Sequence, residues 1–88
     1  MLRFLERRLV DSEVGDRVGS GKDMLRFLER QGYRVLRIRG SHHFLARGDR
    51  RTSVPVHGSE SLKIGTLRGI LRDIDLSPAD FERLWDEA

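Results

Sequence analysis

The sequence contains no cysteine, only two prolines, few aromatic residues and no long apolar run. Without cysteine, the chain cannot form a disulfide framework, a thiolate metal site or a cysteine nucleophile. No stretch approaches the roughly 20 apolar residues that span a bilayer. The first residues, MLRFLERRLVDSE, carry too many charges for the apolar region of a signal peptide. We therefore expect a soluble, cytoplasmic protein without a membrane segment.

The length of 88 residues suits one small domain. Hydrophobic residues make up 38% of the chain, which is enough for a single core. A domain of this size buries only about 60–65% of the surface that its unfolded chain exposes. We expect a domain of marginal stability over residues 20–88, preceded by an extension over residues 1–19.

The extension begins with a seven-residue segment that occurs again in the domain. MLRFLER occurs at residues 1–7 and again at residues 24–30, and a polar, glycine-containing segment lies between the two copies. Two copies are too few for a solenoid. The spacing of Leu2, Leu5 and Leu9 predicts a short amphipathic helix in the first copy.

Positive charge is concentrated in the middle of the chain. Residues 20–68 carry eleven basic and four acidic side chains, a balance of +7, whereas residues 69–88 carry two basic and six acidic ones, a balance of −4. Fifteen of the 17 basic residues are arginine, the side chain best suited to bidentate phosphate contacts. A polyanion such as nucleic acid is one candidate partner, and a solvated arginine-rich surface is the alternative.

From residue 20 onward, the pattern predicts a helix, three antiparallel strands and two further helices. This order gives an α+β domain with helices on one face of the sheet. Alternation in the first strand places Val35 on the same side as Arg37 and Arg39. The first helix is predicted over 22–31, with Ser20 or Asp23 as its cap and Gly32 after its end. The strands are predicted over 33–39, 42–47 and 51–57. Of the two later helices, one is capped by Thr66 and the other starts at Ser77-Pro78.

The segment GSHHF at residues 40–44 lies between arginine-bearing strands. Histidine transfers protons near neutral pH. Beside phosphate-binding arginines, it can deprotonate a 2′-hydroxyl of RNA or protonate the leaving 5′-oxygen. Because adjacent residues of a strand face opposite sides, His42 and His43 cannot both face one site. Two surface histidines without a catalytic role are the alternative.

Other kinds of site are disfavoured by the sequence. A zinc site would need His42, His43 and His57 to converge, and the first two diverge. The phosphate-binding glycine motifs of nucleotide-dependent enzymes do not occur. We therefore predict neither a metal site nor a cofactor.

Several sequence blocks occur together, in a fixed order, over residues 20–77. These blocks are a first helix ending in Q-G-Y, a strand with Arg37, G-S-H-H at 40–43, V-P-V-H at 54–57 and G-T-L-R-x-I-L at 65–71. As an ordered set, they resemble the HicA family of bacterial toxins.

The resemblance implies an α-β-β-β-α fold similar to a double-stranded-RNA-binding domain, here with a short extra C-terminal helix and the N-terminal extension. It also implies the toxin of a type II toxin–antitoxin system, a ribosome-independent endoribonuclease (mRNA interferase) whose partner is a HicB-type antitoxin. The family's functional histidine corresponds to His42 as the first choice and to His43 as the second.

In this hypothesis, His42 transfers protons without a metal ion and mRNA is the substrate. A non-catalytic RNA-binding module of the same fold is the alternative, and it would have little need of His42. The predicted RNA-binding residues are Arg37, Arg39, Gly40, Ser41, Arg47, Arg50 and Arg51.

Overall fold

The computed structural model describes residues 19–87. Its elements are α1 (Gly21–Arg30), β1 (Arg34–Arg39), β2 (His42–Arg47), β3 (Arg50–Pro55), α2 (Ile64–Asp73) and α3 (Pro78–Glu87). The predicted α+β order, with an extra C-terminal helix, is confirmed. No helix within residues 19–87 is long and apolar enough to cross a membrane. The helix predicted through Leu2, Leu5 and Leu9 lies outside the described residues.

Helix α1 is defined at both ends by capping motifs. The Ser20 hydroxyl accepts a hydrogen bond from the Asp23 N–H, and the Asp23 carboxylate accepts one from the Ser20 N–H, at 3.3 and 3.2 Å. At the other end, Gly32 has a φ of +94°, and the Tyr33 N–H donates to the Leu28 carbonyl at 2.9 Å. This Schellman geometry confirms the predicted roles of Ser20 and Gly32.

The three strands form an antiparallel sheet in the order β1-β2-β3, so that β1 and β3 are its edges. Both connections are two-residue turns, Gly40-Ser41 and Gly48-Asp49. Their glycines have φ values of +56° and +59°, which suits the tight turns of a right-twisted hairpin. Pro55 ends the edge strand β3, where its missing N–H is tolerated.

A bulge in β1 changes which side chains share a face. Val35 pairs with Leu45 and Arg37 pairs with Phe44, so Leu36 is an extra residue between the two pairs. Since cross-strand partners share a face, Val35 lies with Leu45 and not with Arg37. The prediction from strict alternation was therefore wrong for Val35.

The helices pack on the face of the sheet that carries Leu45 and Val54. Both residues belong to a core whose other buried members are Met24, Phe27, Leu28, Tyr33, Leu62, Leu67, Ile70, Leu71, Ile74 and Phe81. We call the opposite face of the sheet the open face. By register, its side chains are Arg34, Arg37, Arg39, His42, Phe44, Ala46, Arg51, Ser53 and Pro55.

Helix α2 begins earlier than the sequence predicted. Lys63 is its N-cap residue and makes no side-chain capping hydrogen bond, so the predicted Thr66 cap was wrong. Leu62, just before the helix, is buried and donates its N–H to the Gly19 carbonyl at 2.8 Å. Because this tertiary anchor fixes the chain before Lys63, the helix starts there in spite of the weaker local cap.

Helix α3 begins as predicted. The Asp80 N–H donates to the Ser77 hydroxyl at 3.1 Å, and Pro78 is the first helical residue. The helix adds Phe81 to the core, where its ring meets Phe27 edge to face at a centroid distance of 4.8 Å. This contact makes α3 part of the same core as α1.

Candidate nucleic-acid interface

The open face brings four of the predicted site residues to one side of the sheet. Arg39 pairs with His42, and Arg37 pairs with Phe44 on the same face. Arg51 pairs with Ala46 from the other side of β2. A histidine thus lies among arginines, and Arg37 and Arg39 share a face, as the strand pattern predicted.

The charge of the open face is entirely positive. Arg34 also pairs with Ala46 and is a fourth arginine on this face. All four arginines are exposed, and the three described strands contain no aspartate or glutamate. A sheet face that carries exposed arginines and no acidic side chain attracts phosphate groups. The open face is therefore a candidate nucleic-acid interface.

An aromatic ring lies in the middle of this face. The guanidinium carbon of Arg37 is 4.8 Å from the centroid of the Phe44 ring, a cation–π distance. The His42 ring is 6.4 Å from the same ring and tilted by 34°. Phe44 therefore lies close to both the predicted proton-transfer residue and one of the predicted phosphate-binding residues.

His43 lies on the opposite side of the sheet. Its cross-strand partners are Ile38 and Val54, and its side chain is half-buried. The Nδ1 atom of His43 is buried and has no hydrogen-bond partner, which is uncommon for a polar atom in a folded protein. The two histidines thus diverge, as predicted.

The turn next to His42 is open to solvent. Gly40 is exposed, and no heavy atom lies within 4 Å of the position that a Cβ would take there. The Ser41 carbonyl accepts a hydrogen bond from the Val56 N–H at 2.7 Å, which fixes the turn to the chain after β3. The backbone of Gly40 is therefore accessible from solvent.

Two of the predicted RNA-binding arginines lie away from the open face. Arg47 donates to the Gln31 carbonyl at 2.7 Å, and its guanidinium carbon is 5.1 Å from the Tyr33 ring centroid. Arg50 forms an ion pair with Asp75 at 3.5 Å. The structure therefore gives these two arginines contacts within the fold and does not group them with His42.

His57 follows β3 and is exposed. It borders a cavity of about 220 Å³ whose other lining residues are Pro55, Glu60, Ser61, Leu62, Lys63 and Thr66. Within residues 19–87, no group of three or more histidine, aspartate or glutamate side chains lies close enough together to hold a metal ion.

Sequence reasoning missed two residues of the open face, Phe44 and Arg34. The signal for Phe44 was present, because the strand period of two places it on the same face as His42. Arg34 could not be assigned in the same way. The bulge at Leu36 breaks the alternation between it and Arg37.

The family model described as the HicA toxin of bacterial toxin–antitoxin systems matches residues 21–76, which is more than half of the chain. This range runs from the start of α1 to just beyond α2 and includes the whole sheet and all three histidines. A comparison with curated proteins found no match. On the family match and the α-β-β-β-α order together, the chain belongs to the HicA family, the toxins of bacterial toxin–antitoxin systems.

Proposed function

We propose that this chain is an endoribonuclease that cleaves mRNA in the cytoplasm and is neutralised by a HicB-type antitoxin. Membership of the HicA family supports the toxin role and the antitoxin partner. The observation that carries the nuclease role is His42, which lies on the same sheet face as four arginines. A histidine can transfer the protons in phosphodiester cleavage, and arginines can stabilise the charge on the phosphate.

In the proposed reaction, His42 takes the proton of a 2′-hydroxyl, and the 2′-oxygen attacks the adjacent phosphorus. The P–O5′ bond breaks, the 5′-oxygen takes a proton from the histidine or from water, and a 2′,3′-cyclic phosphate remains. Arg37 and Arg39 stabilise the negative charge that builds on the phosphorus oxygens. The nucleophile belongs to the RNA itself, so this route needs no metal-activated water.

The rate of this reaction is expected to be modest. A single general acid–base residue contributes about 10²–10⁴-fold, and exposed arginines act in a high dielectric. A slow nuclease still suits a toxin, since each mRNA needs only one cut.

His42 is the first choice for proton transfer because it shares a face with Arg37 and Arg39. His43 is the second choice, and its unpaired, buried Nδ1 is the observation in its favour. Because the two rings lie on opposite faces, substituting one leaves the surroundings of the other largely unchanged. His42→Ala and His43→Ala are therefore matched controls for each other.

The test is induced expression of the full chain and of both variants, with growth and mRNA integrity followed together. We expect arrest and cleavage with the parent and with His43→Ala, and neither with His42→Ala. Loss of cleavage in His43→Ala alone would move the catalytic role to His43. Cleavage by both variants would contradict proton transfer by either histidine.

The chemistry is tested with purified chain and end-labelled RNA in the presence of EDTA. We expect cleavage to continue and to leave cyclic-phosphate and 5′-hydroxyl ends. Ends with a 3′-hydroxyl and a 5′-phosphate, or loss of cleavage in EDTA, would contradict the proposed mechanism.

A non-catalytic RNA-binding module is the second candidate function. Four exposed arginines and an aromatic ring on one face are sufficient for binding alone. This candidate predicts salt-sensitive RNA binding without strand scission, and equal behaviour of the parent and both histidine variants.

A further inference from the structure

Phe44 differs from the other aromatic residues of the described chain. Phe27, Phe81 and Trp85 pack together with ring centroids 4.8–5.4 Å apart, and Tyr33 is only 3% exposed. Phe44 is neither a member of the core cluster nor packed against it. Packing in the hydrophobic core therefore does not explain its place on the open face.

The surroundings of Phe44 suit a nucleotide. Arg37 lies over its ring at 4.8 Å, His42 lies beside it, and Ser53 is directly opposite on β3. Arginines bind phosphates, while an aromatic ring on a solvated sheet offers a flat apolar surface that suits a nucleobase. We infer that Phe44 is a stacking platform for an unpaired base, so that the open face selects single-stranded RNA.

The choice of single-stranded RNA follows from where its bases are. In a duplex, each base is stacked between its neighbours and paired, so it cannot lie flat on a side chain. Duplex recognition uses phosphates and 2′-hydroxyls, for which the arginines alone would be sufficient. The ring of Phe44 contributes to binding only when a base is free to leave its own stack.

The platform also has a consequence for cleavage. A base stacked on Phe44 would bring its own ribose and phosphates close to His42 and Arg37, since the His42 ring and the Arg37 guanidinium carbon lie 6.4 and 4.8 Å from the centroid of the Phe44 ring. Phe44 would then be a positioning residue for the scissile linkage. This inference rests on the proposed RNA-binding role of the open face, and its test is separable from catalysis.

The experiment measures binding of the full-length chain to a fluorescent oligoribonucleotide of about 12 residues, a length that covers one typical single-strand site. Its riboses carry 2′-O-methyl groups, so the attacking hydroxyl is absent and binding is read without cleavage. The same sequence is tested as a duplex. The variants are Phe44→Leu, which keeps an apolar side chain without the aromatic face, and Phe44→Trp, which keeps the aromatic face. Leu36→Ala is the control, since Leu36 is an exposed apolar residue of the neighbouring strand.

We expect Phe44→Leu to weaken single-strand binding by roughly 5- to 150-fold, the range found for one base–aromatic stack. Duplex binding should stay unchanged, as should binding by Phe44→Trp and Leu36→Ala. Equal weakening on both forms of RNA, or no weakening on the single strand, would overturn the inference. Thermal unfolding of each variant shows whether it still folds. If Phe44→Leu does not fold, the RNA binding of Phe44→Trp still tests whether an aromatic ring at this position supports binding.

A fluorescent base analogue gives a second measurement of base stacking. A 2-aminopurine in the single strand loses fluorescence when it stacks, so binding by the parent should quench it and binding by Phe44→Leu should not. If the parent cleaves no RNA but this quenching depends on Phe44, the nuclease proposal fails and the stacking inference stands. If cleavage and quenching are both unaffected by Phe44→Leu, the nuclease proposal stands and the stacking inference fails.

Discussion

Gly21 shows how one missing side chain fixes the position of a helix. A Cβ at this residue would collide with the Pro55 carbonyl oxygen and lie 3.1 Å from the Val56 Cα. We therefore expect Gly21→Ala to lower the free energy of unfolding by about 1–3 kcal/mol, the usual cost of overpacking, although alanine favours a helix. Urea unfolding of the parent and the variant measures this difference.

Gly69 is the matched control for Gly21→Ala. It lies within α2, and no heavy atom is within 4 Å of the position that its Cβ would take. Gly69→Ala should raise the free energy of unfolding by about 0.5–1 kcal/mol through helix propensity. Shifts of the same sign in the two variants would contradict the close approach of α1 to the chain after β3.

The residues of the candidate site were predictable from the sequence to different degrees. The divergence of His42 and His43 follows from the strand period alone, and the register bears it out. The position of Arg47 away from the open face also follows from the strand period, which puts it on the face of His43. The contacts that Arg47 and Arg50 make there, with Gln31, Tyr33 and Asp75, were not predictable because those residues are far away in the chain.

Among the elements, the helices whose first residues carry a strong capping signal were predicted best. The Ser20 and Ser77 caps are both observed, because a capping side chain and its N–H partners are close in sequence. The start of α2 was missed because buried Leu62 fixes the chain just before it. The bulge was missed because Leu36 is as apolar as a regular strand residue would be.

The bulge in β1 gives a test of what places Arg37 on the open face. Deleting Leu36 leaves Val35 followed directly by Arg37, which restores strict alternation without moving either side chain to the other face. We expect this variant to fold and to bind RNA like the parent. Circular dichroism and RNA-binding titrations check both expectations.

Deleting Arg37 is the matched control, since it shortens the strand by the same single residue. This deletion would place Leu36 opposite Phe44 in place of the arginine. We expect roughly tenfold weaker RNA binding, equivalent to about 1.4 kcal/mol and close to the value of one hydrogen bond to a charged group. Equal binding by the two deletion variants would show that Arg37 does not contact RNA.

For the whole molecule, the core extends beyond the region that the family model matches. The match ends at residue 76, but Phe81 is only 1% exposed and packs on Phe27. Removing a buried phenylalanine typically costs about 3–5 kcal/mol, close to the whole stability of a small domain. We expect a chain truncated after residue 76 to be unfolded, as measured by circular dichroism and thermal unfolding.

Removing residues 1–18 is the control for that truncation. The core cluster of the described residues begins at Met24, and the capping box at the start of the first helix is formed by Ser20 and Asp23. We expect this shorter chain to keep the cooperative unfolding transition of the parent. A folded chain ending at residue 76 would show that α3 is not part of the cooperative unit.

The separation of charge along the chain predicts how salt affects RNA binding. Four arginines lie on the open face, whereas residues 69–88 have a balance of −4 and should not face a polyanion. Each neutralised phosphate of a single strand contributes about −0.7 to the slope of log K against log salt. Four contacts therefore predict a slope of about −3, measured by titrations over a range of salt concentrations.

Two arginine variants locate the contacts that produce this slope. Arg51→Gln removes a cation from the open face and should make the slope shallower by about 0.7. Arg72→Gln removes an exposed cation from the last turn of α2, on the helical side, and should leave the slope unchanged. The opposite pattern would place the RNA on the helical side of the sheet. His43, not His42, would then be the histidine that faces the phosphodiester.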